Sequence, residues 1–138
     1  MVYTVFIMPS PHPAKASPAP DRIRFTALRG KQIIMVDVSR CPADTVAEVM
    51  RKVPDVVTTQ PIRSVLIFVD FTGATFNADV LRVMKETAVF DKPYIKKSAW
   101  VGAEDIPPEF KQEMSSYALR DFPSFKSRDE ALEWLLKD

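Results

Sequence analysis

A chain of 138 residues, 46% of them apolar, is the size of one domain and can bury a core without help from disulfides or metals. Its 19 basic and 18 acidic residues nearly cancel, which leaves no overall field to draw nucleic acid, an anionic membrane or an acidic substrate. One cysteine and one histidine exclude an internal disulfide and a Cys/His zinc site, and no apolar run approaches the roughly 20 residues of a spanning helix. A soluble, cytoplasmic protein without a cofactor is the expectation.

Val2 to Ile7 is strand-like by residue type and lacks the basic start of a secretory signal. Pro9, Pro11, Pro13, Pro18 and Pro20 follow, a density that excludes regular structure and gives an extended tether. Residues 1–21 are therefore assigned to an apolar start plus a proline-rich linker, and residues 22–138 to one domain. The start reads either as a disordered extension or as a strand for a sheet edge or a neighbouring subunit.

Ile23 to Leu28 alternates apolar and polar residues, and Arg29-Gly30 reverses the chain into Gln32 to Val38, predicting a β-hairpin with one edge strand. Val46, Val49, Met50 and Val53 recur at helical spacing from Pro42 to Val53, where Pro54 is expected to stop or kink the helix. Asp55 to Gln60 then reads as an irregular turn.

Val65 to Val69 is an unbroken β-prone run, which suits a central strand covered on both faces, and Asp70 ends it. Asn77 is placed to cap the next helix, Ala78 to about Phe90, with Asp79 in its first turn and Phe76 and Leu81 spaced as a hydrophobic staple. Val80, Leu81, Met84 and Ala88 form its inner stripe. Ser98 to Val101 predicts a further core strand, and Pro107-Pro108 opens a helix with Phe110, Met114 and Tyr117 inward. Phe122 to Phe125 is a short last strand. Ser127 to Glu130 is a capping box for a final helix that turns Ala131, Trp134 and Leu135 inward.

Strands separated by helices through short connections demand a mostly parallel sheet built from right-handed crossovers. The expectation is an α/β fold with four to five strands, an antiparallel edge hairpin and about four helices.

Four pieces, in order, carry a family resemblance: Gly30-Lys31 with Val36-Asp37; Val69 to Gly73 followed by Phe76-Asn77; Lys92 to Ala99 with Val101-Gly102; and Glu130 to Leu135. Over about residues 22–137 the chain resembles the SpoIIAA-like branch of the STAS domains, small α/β modules related to anti-sigma-factor antagonists. The resemblance implies a βα superhelix with its helices mainly on one sheet face, and binding rather than catalysis. In the regulatory members a serine opening the helix after the central strand is phosphorylated to switch partners. Asp79 stands at or near that position, and an aspartate cannot take a phosphoryl group from a serine kinase. Some members are thought to bind lipids or other small apolar ligands.

The candidate site is the rim at the carboxyl ends of the strands, where open α/β sheets bind ligands. Asp37, Asp70, Thr72, Gly73, Thr75, Asn77 and Asp79 make up this rim, and the amides opening the Asn77 helix could receive an anion. Both aspartates have a second use, capping turns by accepting from local amides. A phosphoryl-acceptor enzyme would need Asp70, a cation from Lys96 or Lys97, and an earlier acidic pair for magnesium, of which only Asp37 is present. Cys41, before a helix start, reads as a dipole-stabilised thiolate or as a small half-buried thiol. Lys92, Lys96 and Lys97 with Tyr94 and Trp100 could suggest single-stranded nucleic acid, but strand packing with lysine heads at its end explains them.

The functional expectation is a non-enzymatic, regulatory binding module. Its partner would be a protein, a second copy included, or a small apolar ligand. The alternative is a lipid-like carrier or enzyme with a pocket between the second helix and the sheet. Helices on one side would leave the other sheet face needing cover, which is the ground for a homodimer.

Overall fold

The computed structural model describes residues 19–137, so the Val2–Ile7 segment, most of the proline tether and His12 lie outside the described residues. A single helical turn, α1 (Ala19–Arg22), begins three residues before the expected domain start and packs on the elements that follow. β1 (Ile23–Leu28) and β2 (Lys31–Asp37) form the predicted antiparallel hairpin. Its two turn residues both have positive φ, 49° at Arg29 and 77° at Gly30, the two-residue geometry whose twist matches that of the strands.

β3 (Val65–Asp70), β4 (Ile95–Val101) and β5 (Ser124–Phe125) continue the sheet in parallel, in the order β1-β2-β3-β4-β5. The long helices are α2 (Ala43–Val57), α3 (Ala78–Asp91), α4 (Pro108–Ala118) and α5 (Arg128–Leu136). The fold is therefore α/β, with a mostly parallel five-stranded sheet and an antiparallel edge hairpin. β3 sits at its centre, and Val65 to Val69 are all buried, as an uninterrupted apolar run requires.

Strand order never reverses, so crossovers of one hand leave all the connecting helices on one face. Ile34, Val36, Ile67, Val69 and Trp100 pack there with the inner residues of α2, α3 and α4. The opposite face is not bare. Ile33, Met35, Leu66, Phe68 and Ala99 form a second core with Ala131 and Leu135 of α5. The ground offered for a homodimer, an uncovered face, is thus removed by the last helix.

Two lysines rising from the sheet fasten α5 by its carboxyl end. Lys97 Nζ donates to the carbonyls of Trp134 and Lys137 at 2.9 and 2.8 Å, and Lys31 Nζ to that of Leu136 at 3.0 Å. Cations at the negative end of a helix dipole are favourable, and these replace hydrogen bonds that the last turn lacks.

Other expectations are corrected by packing. Pro54 does not end α2, which runs on to Val57; the ring is buried in the last turn, where only one helical hydrogen bond is forgone. The Pro54 carbonyl accepts from both the Thr58 amide and its hydroxyl, at 3.0 and 2.7 Å. Tyr117 faces outward, with Lys85 Nζ 4.6 Å from its ring centre, while Ala118 takes the inner position. In β4 the register slips opposite Val65 and Leu66, leaving exposed Lys96 unpartnered on β3. That slip breaks the alternation only at Ile95, which joins the helix-covered core together with Trp100; from Lys97 onward it holds, with Lys97 and Ala99 toward α5 and Ser98 and Trp100 the other way.

Candidate functional site

The rim is built from two loops that bond to each other. Past the end of β2, Val38 N–H donates to Asp70 O at 3.0 Å and Arg40 N–H to Thr72 O at 2.8 Å. Thr75 N–H returns the contact to Cys41 O at 3.0 Å, and Phe71 N–H bonds Val101 O at 2.8 Å. Beneath the loop, Phe71 is fully buried and its ring meets Phe76 and Trp100 at 5.5 and 5.2 Å between centroids. The loop is therefore anchored by one aromatic side chain and by backbone bonds to its neighbours on both sides.

Gly102 completes that support. It lies at φ +74° directly under Thr72, and a Cβ there would stand 2.4 Å from the Thr72 nitrogen. In the sequence Gly102 is simply the residue after the strand that ends at Val101. The close approach is a tertiary contact with no local signature.

Asp37 and Asp70 are register partners on adjacent strands, as expected, but each is committed to its own turn. The Asp37 carboxylate accepts from the Ser39 amide and hydroxyl at 2.9 and 2.6 Å, and that of Asp70 from the Thr72 amide at 2.9 Å. Burial works to raise the Asp37 carboxyl; the Ser39 hydrogen bonds and the charges of Arg22 and Arg128 outweigh it and hold the group below its ordinary range. The capping use of both aspartates is what the geometry displays.

Thr72, Gly73, Thr75, Asn77 and Asp79 are all exposed along one continuous edge. Asn77 caps α3, accepting from Val80 N–H at 2.9 Å. Asn77→Ala is expected to cost about 1 kcal/mol in urea unfolding, with fraying of Ala78 to Val80 in amide exchange. Asp79, in the first turn, pairs with Arg82 and, at 3.3 Å, with Arg51 of α2. The Arg82 hydrogen bond, helped by the two arginine charges, lowers its carboxyl pKa. Arg51 is a rim residue that the sequence did not reveal, because it belongs to another helix.

The phosphoryl-acceptor reading fails on distance. Lys97 is in register with Leu66, four residues from Asp70, so Lys96 and Lys97 stand about 13 Å away at the other end of the sheet. Cys41 is buried rather than half-buried; burial pushes its thiol up, the Asp37 charge adds to that, and Arg22 opposes it. A stabilised thiolate is not what this environment makes.

Among the described residues no group of three or more His, Cys, Asp or Glu is placed to hold a metal ion, and no helix is long and apolar enough to cross a membrane. The sheet has no point at which strand order reverses, so the rim lacks the crevice such points create. Between α3 and the sheet the cavity is about 30 Å³, room for about one water rather than an apolar ligand. Met50, Met84 and Met114 line it as ordinary core.

Fold and rim together describe an α/β domain that presents an exposed, polar loop, tied down by backbone hydrogen bonds, at the carboxyl edge of its sheet. No protein-family model matches the chain, and no curated protein matches it either.

Proposed function

We propose that the chain is a non-enzymatic, STAS-like regulatory module whose protein partner reads the exposed edge from Thr72 to Asp79. The observation that carries this reading is the pre-organised loop: its backbone is fixed by inter-loop hydrogen bonds while its polar side chains face solvent. Fixing a loop before binding lowers the entropy cost of recognition. Asp79 supports it further. The helix start that the regulatory family modifies carries here a permanent carboxylate, balanced by Arg51 and Arg82, so partner choice rests on a standing charge pattern. A second copy of the chain is a partner of the same class, with the outer edge of β1 unpaired among the described residues.

The test places a photo-crosslinking side chain at Thr75 and, as control, at exposed Glu48 on α2. In cells, Thr75 should yield one discrete protein adduct that disappears with Asp79→Arg, and an adduct of twice the chain's mass would identify the partner as self. Equal labelling from both positions, or an adduct indifferent to Asp79→Arg, rejects the rim as the recognition surface.

A further inference from the structure

The opposite end of the sheet carries a different surface. A groove of about 690 Å³ runs between the carboxyl ends of α3 and α4, lined by Arg63, Val89, Phe90, Lys92, Leu119 and Arg120 among others, with no carboxylate. A neighbouring cleft of about 350 Å³, bounded by Lys31, Ser64, Lys96 and Lys137, also lacks one among the described residues. Exposed Ile62 lies in the chain between Pro61, which lines the cleft, and Arg63, which lines the groove.

Of six large apolar side chains exposed among the described residues, four are here: Ile62 at 67%, Val89 at 42%, Phe90 at 64% and Leu119 at 72%. The side chains of Arg63, Lys92 and Lys96 make no hydrogen bond, ion pair or ring contact among the described residues. Helix dipoles favour cations at this end and acids at the other, where Asp37, Asp44, Asp70 and Asp79 stand. They do not account for the apolar residues. Nor do they account for the backbone: Arg63 and Leu119 sit at φ 60° and 56°, a conformation that glycine adopts without strain. Two strained positions keeping a cation and an exposed leucine in one patch point to use.

We infer that this end of the molecule docks on an anionic lipid surface, with Ile62, Phe90 and Leu119 sinking below the headgroups and Arg63, Lys92 and Lys96 meeting the phosphates. Cations ringing exposed apolar side chains are the pattern of peripheral membrane attachment. A second copy would bring like charges together. Nucleic acid would find mostly aliphatic side chains where its bases need stacking faces. The near-neutral total hides this surface because net charge sums over the whole molecule, the rim end being balanced between its aspartates and Arg22, Arg51, Arg82 and Arg128.

The full chain is tested by flotation with phosphatidylcholine vesicles, with and without about one third phosphatidylglycerol. Binding should require the anionic lipid and weaken as salt rises. Arg63→Gln, Lys92→Gln and Lys96→Gln together should lower affinity about a hundredfold, from the contribution of each charge near such a surface. Leu119→Gly relieves its backbone, so it should keep or raise the melting temperature while weakening binding, and Glu48→Gln, exposed on α2 outside this surface, should leave binding unchanged. No binding to the anionic vesicles, equal binding to neutral ones, or indifference to both the charge and the Leu119 variants overturns the inference; in the first case the surface belongs to an acidic protein segment.

Discussion

Gly102→Ala is expected to destabilise the protein by about 3 kcal/mol and to displace the rim loop. Two terms add. A left-handed alanine costs about 1 kcal/mol or slightly more, and overpacking a filled site costs a further 1–3 kcal/mol, roughly. The second term is unavoidable here because the added carbon would lie 2.4 Å from the Thr72 nitrogen and 2.5 Å from its Cα, and backbone cannot swing aside as a long side chain does. Gly30→Ala is the control. Its φ is +77°, but nothing lies within 4 Å of the new carbon, so it should lose only the backbone term. Urea unfolding of the two variants, with amide exchange at Thr72 to Thr75, separates strain from contact. Equal losses, or an unmoved loop in Gly102→Ala, would mean that Gly102 does not support the rim.

What the sequence made legible follows from how local each signal is. The β3 run, the Asn77 cap and the Ser127 cap are written in adjacent residues, and each appears where expected. Ser127 accepts from Glu130 N–H at 3.2 Å. Pro54 misled because a helix-breaking residue was weighed without the packing that holds its ring in the last turn of α2. The place of α5 was not legible at all: an amphipathic helix declares which of its own faces is apolar, not which face of a sheet will receive it.

The candidate site divides in the same way. Asp37, Asp70 and the loop between Thr72 and Asp79 could be placed on the rim from strand ends alone. Gly102 beneath Thr72 and Arg51 beside Asp79 depend on elements distant in sequence. The basic end escaped because net charge sums over the whole surface, whereas a docking face depends on where the charges lie.

Asp91 should make stability fall with rising pH across a window where most carboxylates do the reverse. It is the last residue of α3, on the stripe that Val80, Met84 and Ala88 begin, and that periodicity buries it. Its Oδ1 has no hydrogen-bond partner. Arg120 is the charge that acts on it, with its guanidinium already donating to Ser98 Oγ at 3.1 Å and Ala88 O at 3.3 Å. Burial raises the Asp91 carboxyl from 3.8 to about 7, against the pull of Arg120, and the negative end of α3 adds to the penalty on its ionised form. Between those two values the native protein holds a proton that the unfolded chain releases. Stability is therefore lost as pH climbs through the window and levels off above it, by about 4 kcal/mol at most. Asp91→Asn stays neutral throughout, so the difference in unfolding free energy between wild type and variant should drift by that amount from below the ordinary value of 3.8 to above the raised value of about 7. Asp37, held low by Ser39, contributes the opposite slope at acid pH, and it cancels in the difference because both proteins share it. Parallel curves for the two proteins would show that Asp91 titrates as it does in the unfolded chain, and that the carboxylate ionises in the core without penalty.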